Sequence, residues 1–137
     1  MELESNMYVR TEYGKIYKVL SVEEPKYNIG GAGFIYYGYL SDGNGKIDFT
    51  FYKNNKMAIY GEKEEVKASH NIIELIEAGD YVNGWLVEEI NHNRIFSSQY
   101  WYCGLCNDFE RKEFAEKDIK SIVTKEQFES MSYKVDN

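Results

Sequence analysis

The most constraining stretch of the chain is Lys46-Ile47-Asp48-Phe49-Thr50-Phe51-Tyr52, where bulky apolar residues alternate with polar ones. Successive strand residues point to opposite faces, so this pattern requires a strand with one face buried. Asp42-Gly43-Asn44-Gly45 precedes it with turn composition, and the aromatic run Phe34-Ile35-Tyr36-Tyr37-Gly38-Tyr39-Leu40 lies upstream. Lys53-Asn54-Asn55 then leads into Lys56-Met57-Ala58-Ile59-Tyr60. These signals predict a three-stranded antiparallel meander over residues 34–60. The chain has 13 Tyr, 7 Phe and 2 Trp. Such residues favour a pleated, half-buried surface.

Similar signals recur on both sides. Met7-Tyr8-Val9-Arg10-Thr11 and Lys15-Ile16-Tyr17-Lys18-Val19-Leu20 flank the Gly-containing break Glu12-Tyr13-Gly14 and predict a hairpin, though the apolar pattern of the second run assigns no face. Asp80-Tyr81-Val82 and 85–90 flank Asn83-Gly84, a strong hairpin turn signal. Further strands are expected at 94–97, 99–102 and 119–123. Two short helices are also expected. One spans 71–78, with Asn71 and Glu74 at capping-box spacing, Ile72, Leu75 and Ile76 as its apolar stripe, and Gly79 as a stop. The other follows Thr124, with Gln127 at capping-box spacing and Phe128 and Met131 facing inward. The expected fold class is α+β: mainly an antiparallel β meander and hairpins with two short helices. At 137 residues the chain reads as one domain.

Sixteen Lys and Arg against 23 Asp and Glu give a net charge of −7. A sequence-independent nucleic-acid binder needs the opposite sign to displace counterions from phosphates, so direct nucleic-acid binding is disfavoured. An acidic surface suits a basic partner instead. The start, Met1-Glu2-Leu3-Glu4-Ser5-Asn6, lacks the basic and apolar regions of a signal peptide, and no apolar stretch has membrane-spanning length. Two cysteines three residues apart fit a reducing compartment, so a cytoplasmic location in the host cell is expected.

No motif assembles a reactive centre. Asp42-Gly43-Asn44-Gly45-Lys46-Ile47-Asp48-Phe49 copies the middle of an EF-hand loop, but Leu40 and Phe51 then stand where oxygen ligands are needed. A hairpin turn explains it as well. Cys103-Gly104-Leu105-Cys106 offers two thiols, compatible with half a metal site or a redox pair, yet His70 and His92 sit singly. Cys103 and Cys106 are therefore weak metal candidates. Gly30-Gly31-Ala32-Gly33 opens onto a strand and reads as a flexible connection, not a phosphate loop. Glu64-Glu65 and Glu88-Glu89 are adjacent, so on a regular strand each pair splits between two faces. No cofactor and no catalytic residue is expected.

Three segments resemble small phage and prophage proteins of Gram-positive, Firmicutes-type bacteria. They are Met7-Tyr8-Val9-Arg10-Thr11 with Gly14-Lys15-Ile16-Tyr17, then residues 71–84, and the ending 118–129. The resemblance covers under a third of the chain and implies no catalytic residues. By analogy of class it implies an anti-defence protein of the anti-CRISPR kind. Residues 28–60 and 101–114 lie outside the resemblance and are expected to hold the specific function. The expected partner-contacting residues are Tyr36, Tyr37, Tyr39, Asp42, Asp48, Trp101, Tyr102, Asp108 and Glu110, since exposed aromatics anchor interfaces and carboxylates oppose basic partners.

The leading expectation is a non-catalytic inhibitor that occupies a basic nucleic-acid-binding surface of a host protein, such as a CRISPR or other defence nuclease. A homodimer is compatible with it. One alternative is a sponge for a nucleotide signal, with Tyr or Trp stacking the base and Arg94 or Arg111 holding phosphate. Another is a small CxxC metal or redox protein.

Overall fold

The computed structural model describes residues 2–23, 34–52, 54–103 and 106–131, and for residues 34, 35, 100–103 and 106–108 the backbone alone. The expected Asn28–Gly33 connection lies outside the described residues. Where the sequence reads as one domain, the contacts form two compact units, Met1–Asn71 and Ile72–Asn137.

The first unit is a closed barrel of six antiparallel strands: β1 (Tyr8–Thr11), β2 (Ile16–Glu23), β3 (Phe34–Ser41), β4 (Lys46–Tyr52), β5 (Lys56–Ile59) and β6 (Glu62–Ser69). Each strand pairs with the next, and β1 closes the ring by pairing with β6, placing Val9 opposite Ala68. Closure leaves no free sheet edge in the barrel. The predicted β1–β2 hairpin and the β3–β4–β5 meander are both present. Ile47, Phe49 and Phe51 turn inward with Val9, Val19, Leu40, Met57 and Ile59. In β2, Tyr17 and Val19 are buried while Lys18 is exposed, which settles the face of that run.

Glycine fits at one barrel position because the strands converge there. β2 bulges between Val19 and Ser21. Gly38, buried between the outward Tyr37 and Tyr39, lies so close that a Cβ would stand 2.0 Å from the Ser21 carbonyl oxygen and 3.0 Å from Phe49 Cε1.

The second unit holds a five-stranded sheet in the order β10-β9-β8-β7-β11 and a helix. Its strands are β7 (Tyr81–Val82), β8 (Trp85–Asn91), β9 (Arg94–Cys103), β10 (Cys106–Phe114) and β11 (Ile122–Val123), and the helix is α1 (Lys125–Met131). Its core gathers Ile73, Ile76, Val82, Val87, Ile95 and Phe114. Among the described residues, no helix is long and apolar enough to cross a membrane.

The α+β assignment with two short helices is overturned: the chain is mostly β, a closed barrel plus a second sheet, with one α-helix among the described residues. The segment expected as the first helix makes only a 3-10 turn, Ile72–Leu75. Ile73, Leu75 and Ile76 are buried there, not Ile72, Leu75 and Ile76. Asp80 caps the following turn by accepting the Glu77 N–H at 2.8 Å, and Gly79 at φ +100° redirects the chain. The second helix does open with the expected reciprocal cap: the Gln127 N–H donates to Thr124 Oγ1 at 3.3 Å and the Thr124 N–H to Gln127 Oε1 at 3.0 Å. Its apolar face is not inward, since Phe128 is 50% and Met131 69% exposed; the Phe128 ring instead packs tilted against Tyr81 with centroids 4.9 Å apart. The strand expected at 119–123 shortens to Ile122–Val123.

Two of the resembling segments, 71–84 and 118–129, pack on each other. Ile122 and Val123 pair with Val82 and Tyr81. Asp80 Oδ1 accepts the Lys125 N–H at 2.9 Å at the start of α1. Asn83, at φ 53°, accepts the N–H groups of Lys120 and Ser121 at 2.8 and 3.0 Å and donates to the Asp118 carbonyl at 2.8 Å. These polar residues join the β7–β8 turn to the chain end, so what they hold together is scaffold.

Candidate functional site

Alternation along β3 and β4 sorts the expected contact residues. Tyr36 is half-buried; its ring packs on the barrel core and stacks on Phe51 at 6.1 Å between centroids. Tyr37 and Tyr39 point outward and are each 37% exposed. Asp48, exposed, lies directly opposite Tyr39 on β4, and Thr50 lies opposite Tyr37. The barrel therefore brings Tyr37, Tyr39 and Asp48 together on one outer face and withdraws Tyr36 from it.

Asp42 is committed to its turn. Its carboxylate accepts the N–H groups of Asn44 at 2.8 Å and Gly45 at 2.7 Å, which hold it below the ordinary carboxylate range. The Asp-Gly-Asn-Gly stretch thus serves as the β3–β4 hairpin turn. Among the described residues no group of three His, Cys, Asp or Glu could hold a metal ion.

A groove of about 570 Å³ runs along this face between β4 and the β5–β6 turn. Its outward row on β4 is Lys46, Asp48, Thr50 and Tyr52, with Ala58, Tyr60 and Lys63 across from it. Lys46 Nζ stands 3.8 Å from the Tyr39 ring centroid, and Lys63 Nζ stands 4.1 Å from that of Tyr52. A cation over an aromatic face is attracted by the ring quadrupole, so each lysine keeps its charge at the groove while covering a ring. Sequence reasoning missed Lys46, Tyr52 and Lys63. For two of them the signal available was parity: Lys46 and Tyr52 occupy the same outward row of β4 as Asp48, whereas Lys63 lies on β6.

Tyr37 has a different neighbour. A hydrogen bond to the Glu23 carboxylate, and then that carboxylate's charge, push its phenol above the ordinary range. Glu23 is the register partner of Tyr37 on β2.

Inside the barrel, Glu64 is 6% exposed, and its Oε1 has no hydrogen-bond partner among the described residues. Burial pushes its carboxyl above the ordinary range, opposed by Lys15 and by a hydrogen bond from Thr11, and reinforced by Glu12. Burial, then the charge of Glu64, likewise pushes the Tyr17 phenol up.

In the second unit Glu110 is exposed on β10. Trp101, Tyr102 and Asp108 lie on the β9 and β10 backbones, with Asp108 opposite Trp101; their side chains lie outside the described residues. Cys103 and Cys106 are register partners across the same strand pair, and their side chains too are outside the described residues. Arg94 pairs with Glu113 at 3.6 Å, and Arg111 lies over Phe109 at 5.2 Å.

The expectation for Glu88 and Glu89 needs correction. A bulge between Val87 and Glu89 breaks the alternation, so both side chains are exposed and both line a second groove of about 540 Å³ with Phe96, Arg111 and Lys112. In β6 the alternation is intact, and Glu64 is buried where Glu65 is exposed.

The charge is also unevenly divided. Residues Met1–Asn71 carry nine Lys and Arg against ten Asp and Glu, whereas Ile72–Asn137 carry seven against thirteen. The acidity of the chain belongs to the second unit, and the aromatic groove lies on a nearly neutral barrel. Comparison with protein-family models, with curated proteins and with solved structures gives no match to this chain.

Proposed function

We propose that this chain is a non-catalytic binding protein of the phage anti-defence kind, and that it meets its partner through the outer face of β3–β5. The resemblance supports the biological setting. One observation carries the surface: Tyr37, Tyr39 and Asp48 stand together beside a groove edged by Lys46 and Lys63. Tyr contributes a large contact area at small cost in side-chain entropy, which makes it an effective interface anchor. The paired variant Tyr37→Ala/Tyr39→Ala removes this face and leaves the inward residues in place. Wild type and variant are each immobilised and exposed to lysate and metabolite extract from phage-infected host cells. Retention of the same partner by both would sink the reading.

The charge division favours a second reading. Here the acidic second unit, Glu110 included, opposes the basic surface of a host nuclease, and the barrel is its carrier. Binding of that kind weakens steeply with salt and survives Tyr37→Ala/Tyr39→Ala. Glu110→Lys slows its association instead.

A further inference from the structure

We propose that the groove beside β4 binds a nucleoside phosphate of dinucleotide size, a ligand class that rests on the outer face being the recognition surface. Two ring–ammonium pairs edge the groove. Lys46 lines one end and lies over the ring of Tyr39, which stands just outside the groove on β3, and Tyr52 with Lys63 lines the other end. Tyr39 is opposite Asp48, four residues from Tyr52 along β4, so the pairs are separated by about 13 Å at strand rise. Neither lysine makes an ion pair with a carboxylate among the described residues. Within the groove two ammonium groups face one carboxylate, Asp48, so the site is locally positive on a chain of net charge −7.

This combination matches a phosphate-linked pair of bases. A base gains by stacking on a tyrosine ring whatever its identity. A lysine ammonium gains more from a phosphate than from a ring, and a surface rotamer change is fast. Ligand binding would therefore move each lysine from ring to phosphate and give the vacated ring face to a base. Thr50 supplies a hydroxyl between the two pairs. A protein partner would use the tyrosines equally well, but two lysines spaced along one groove suit the phosphates of a nucleotide.

The test is an amide NMR titration of the full chain at low salt with the dinucleotide pApA, the oligonucleotide dA10, AMP and inorganic phosphate. The expected result is saturable shifts confined to residues 39, 46–52 and 58–63, with pApA tighter than AMP and AMP tighter than phosphate. Binding of dA10 no tighter than pApA identifies a free dinucleotide, and much tighter binding identifies a strand; both support the site. Lys46→Gln, Lys63→Gln and Tyr39→Leu should each weaken pApA binding about tenfold while leaving the spectra of the second unit unchanged. No shift at millimolar pApA, shifts elsewhere, or equal response to phosphate alone would overturn the assignment. If pApA fails while a host partner is lost on Tyr37→Ala/Tyr39→Ala, the ligand class is wrong and the recognition face stands. If neither depends on these residues, both fall.

Discussion

Replacing Gly38 by Ala tests whether the barrel closes as described. The added Cβ would lie 2.0 Å from the Ser21 carbonyl oxygen. An ordinary carbon–oxygen approach is about 3.3 Å, so β2 and β3 must separate by about 1.3 Å at this point. The obstacle is backbone and cannot rotate away, and Phe49 Cε1 at 3.0 Å blocks escape on the other side. Overpacking in a filled interior costs about 1–3 kcal/mol, and a backbone obstacle places this case at the upper end. Loss of glycine's freedom in the unfolded chain returns about 0.4–1 kcal/mol. The net expectation is destabilisation of about 2 kcal/mol. Urea unfolding followed by far-UV circular dichroism should show the barrel transition at lower denaturant. Tryptophan emission reports on Ile72–Asn137, where both Trp85 and Trp101 lie. Gly45→Ala is the control, because an added Cβ would meet nothing within 4 Å among the described residues and the variant should stay within about 0.5 kcal/mol of wild type. A Gly38→Ala midpoint equal to or above wild type would refute the close approach of β2 and β3.

Other perturbations follow from single side chains. Burial raises the Glu64 carboxyl, so the folded chain holds that proton more tightly than the unfolded one. Its contribution is complete below the unfolded value of about 4.3 and is lost as pH rises through the raised folded value. Barrel stability from urea midpoints should therefore rise on acidification from neutral pH into that window, and Glu64→Gln should flatten the rise; an unchanged slope counts against a buried, underpaired carboxylate. Asp80→Ala strips the acceptor from the Glu77 and Lys125 N–H groups and should cost the second unit about 2–3 kcal/mol, read by tryptophan emission in urea. Asn83→Gly keeps the positive φ but loses three hydrogen bonds to residues 118–121, so a cost of about 1–3 kcal/mol there separates the clamp from the turn.

The hairpins were legible because their signals are local. Alternation in β4, Asp-Gly-Asn-Gly before it and Asn83-Gly84 between β7 and β8 each act within a few residues. Barrel closure depends on β1 meeting β6, 61 residues away at the pair Tyr8 and Ser69. β6 gave little warning: in Glu62-Lys63-Glu64-Glu65-Val66-Lys67-Ala68-Ser69, an inward position holds Glu64, which masks the apolar period. The first predicted helix failed for a related reason. Its apolar residues fit a helical stripe, but Asp80 ties Glu77 and Lys125 together and shortens the segment to one 3-10 turn, a tertiary constraint invisible at residues 71–78.

The candidate site was half legible, and charge explains the other half. Tyr37, Tyr39 and Asp48 could be named because outward aromatics and an alternating carboxylate are local features. Of their company, Lys46 and Tyr52 share the parity of Asp48 on β4, but nothing local places Lys63 of β6 beside them. Net charge is summed over a chain, whereas a ligand meets only the field of the patch it touches, screened within about 10 Å at ordinary ionic strength. The surplus carboxylates lie mainly in Ile72–Asn137, and the groove on the other unit presents Lys46 and Lys63 against Asp48. A chain-wide −7 therefore argues against a duplex wrapped around the whole molecule, yet it leaves a short phosphate-bearing ligand free to bind along the groove that Lys46 and Lys63 edge.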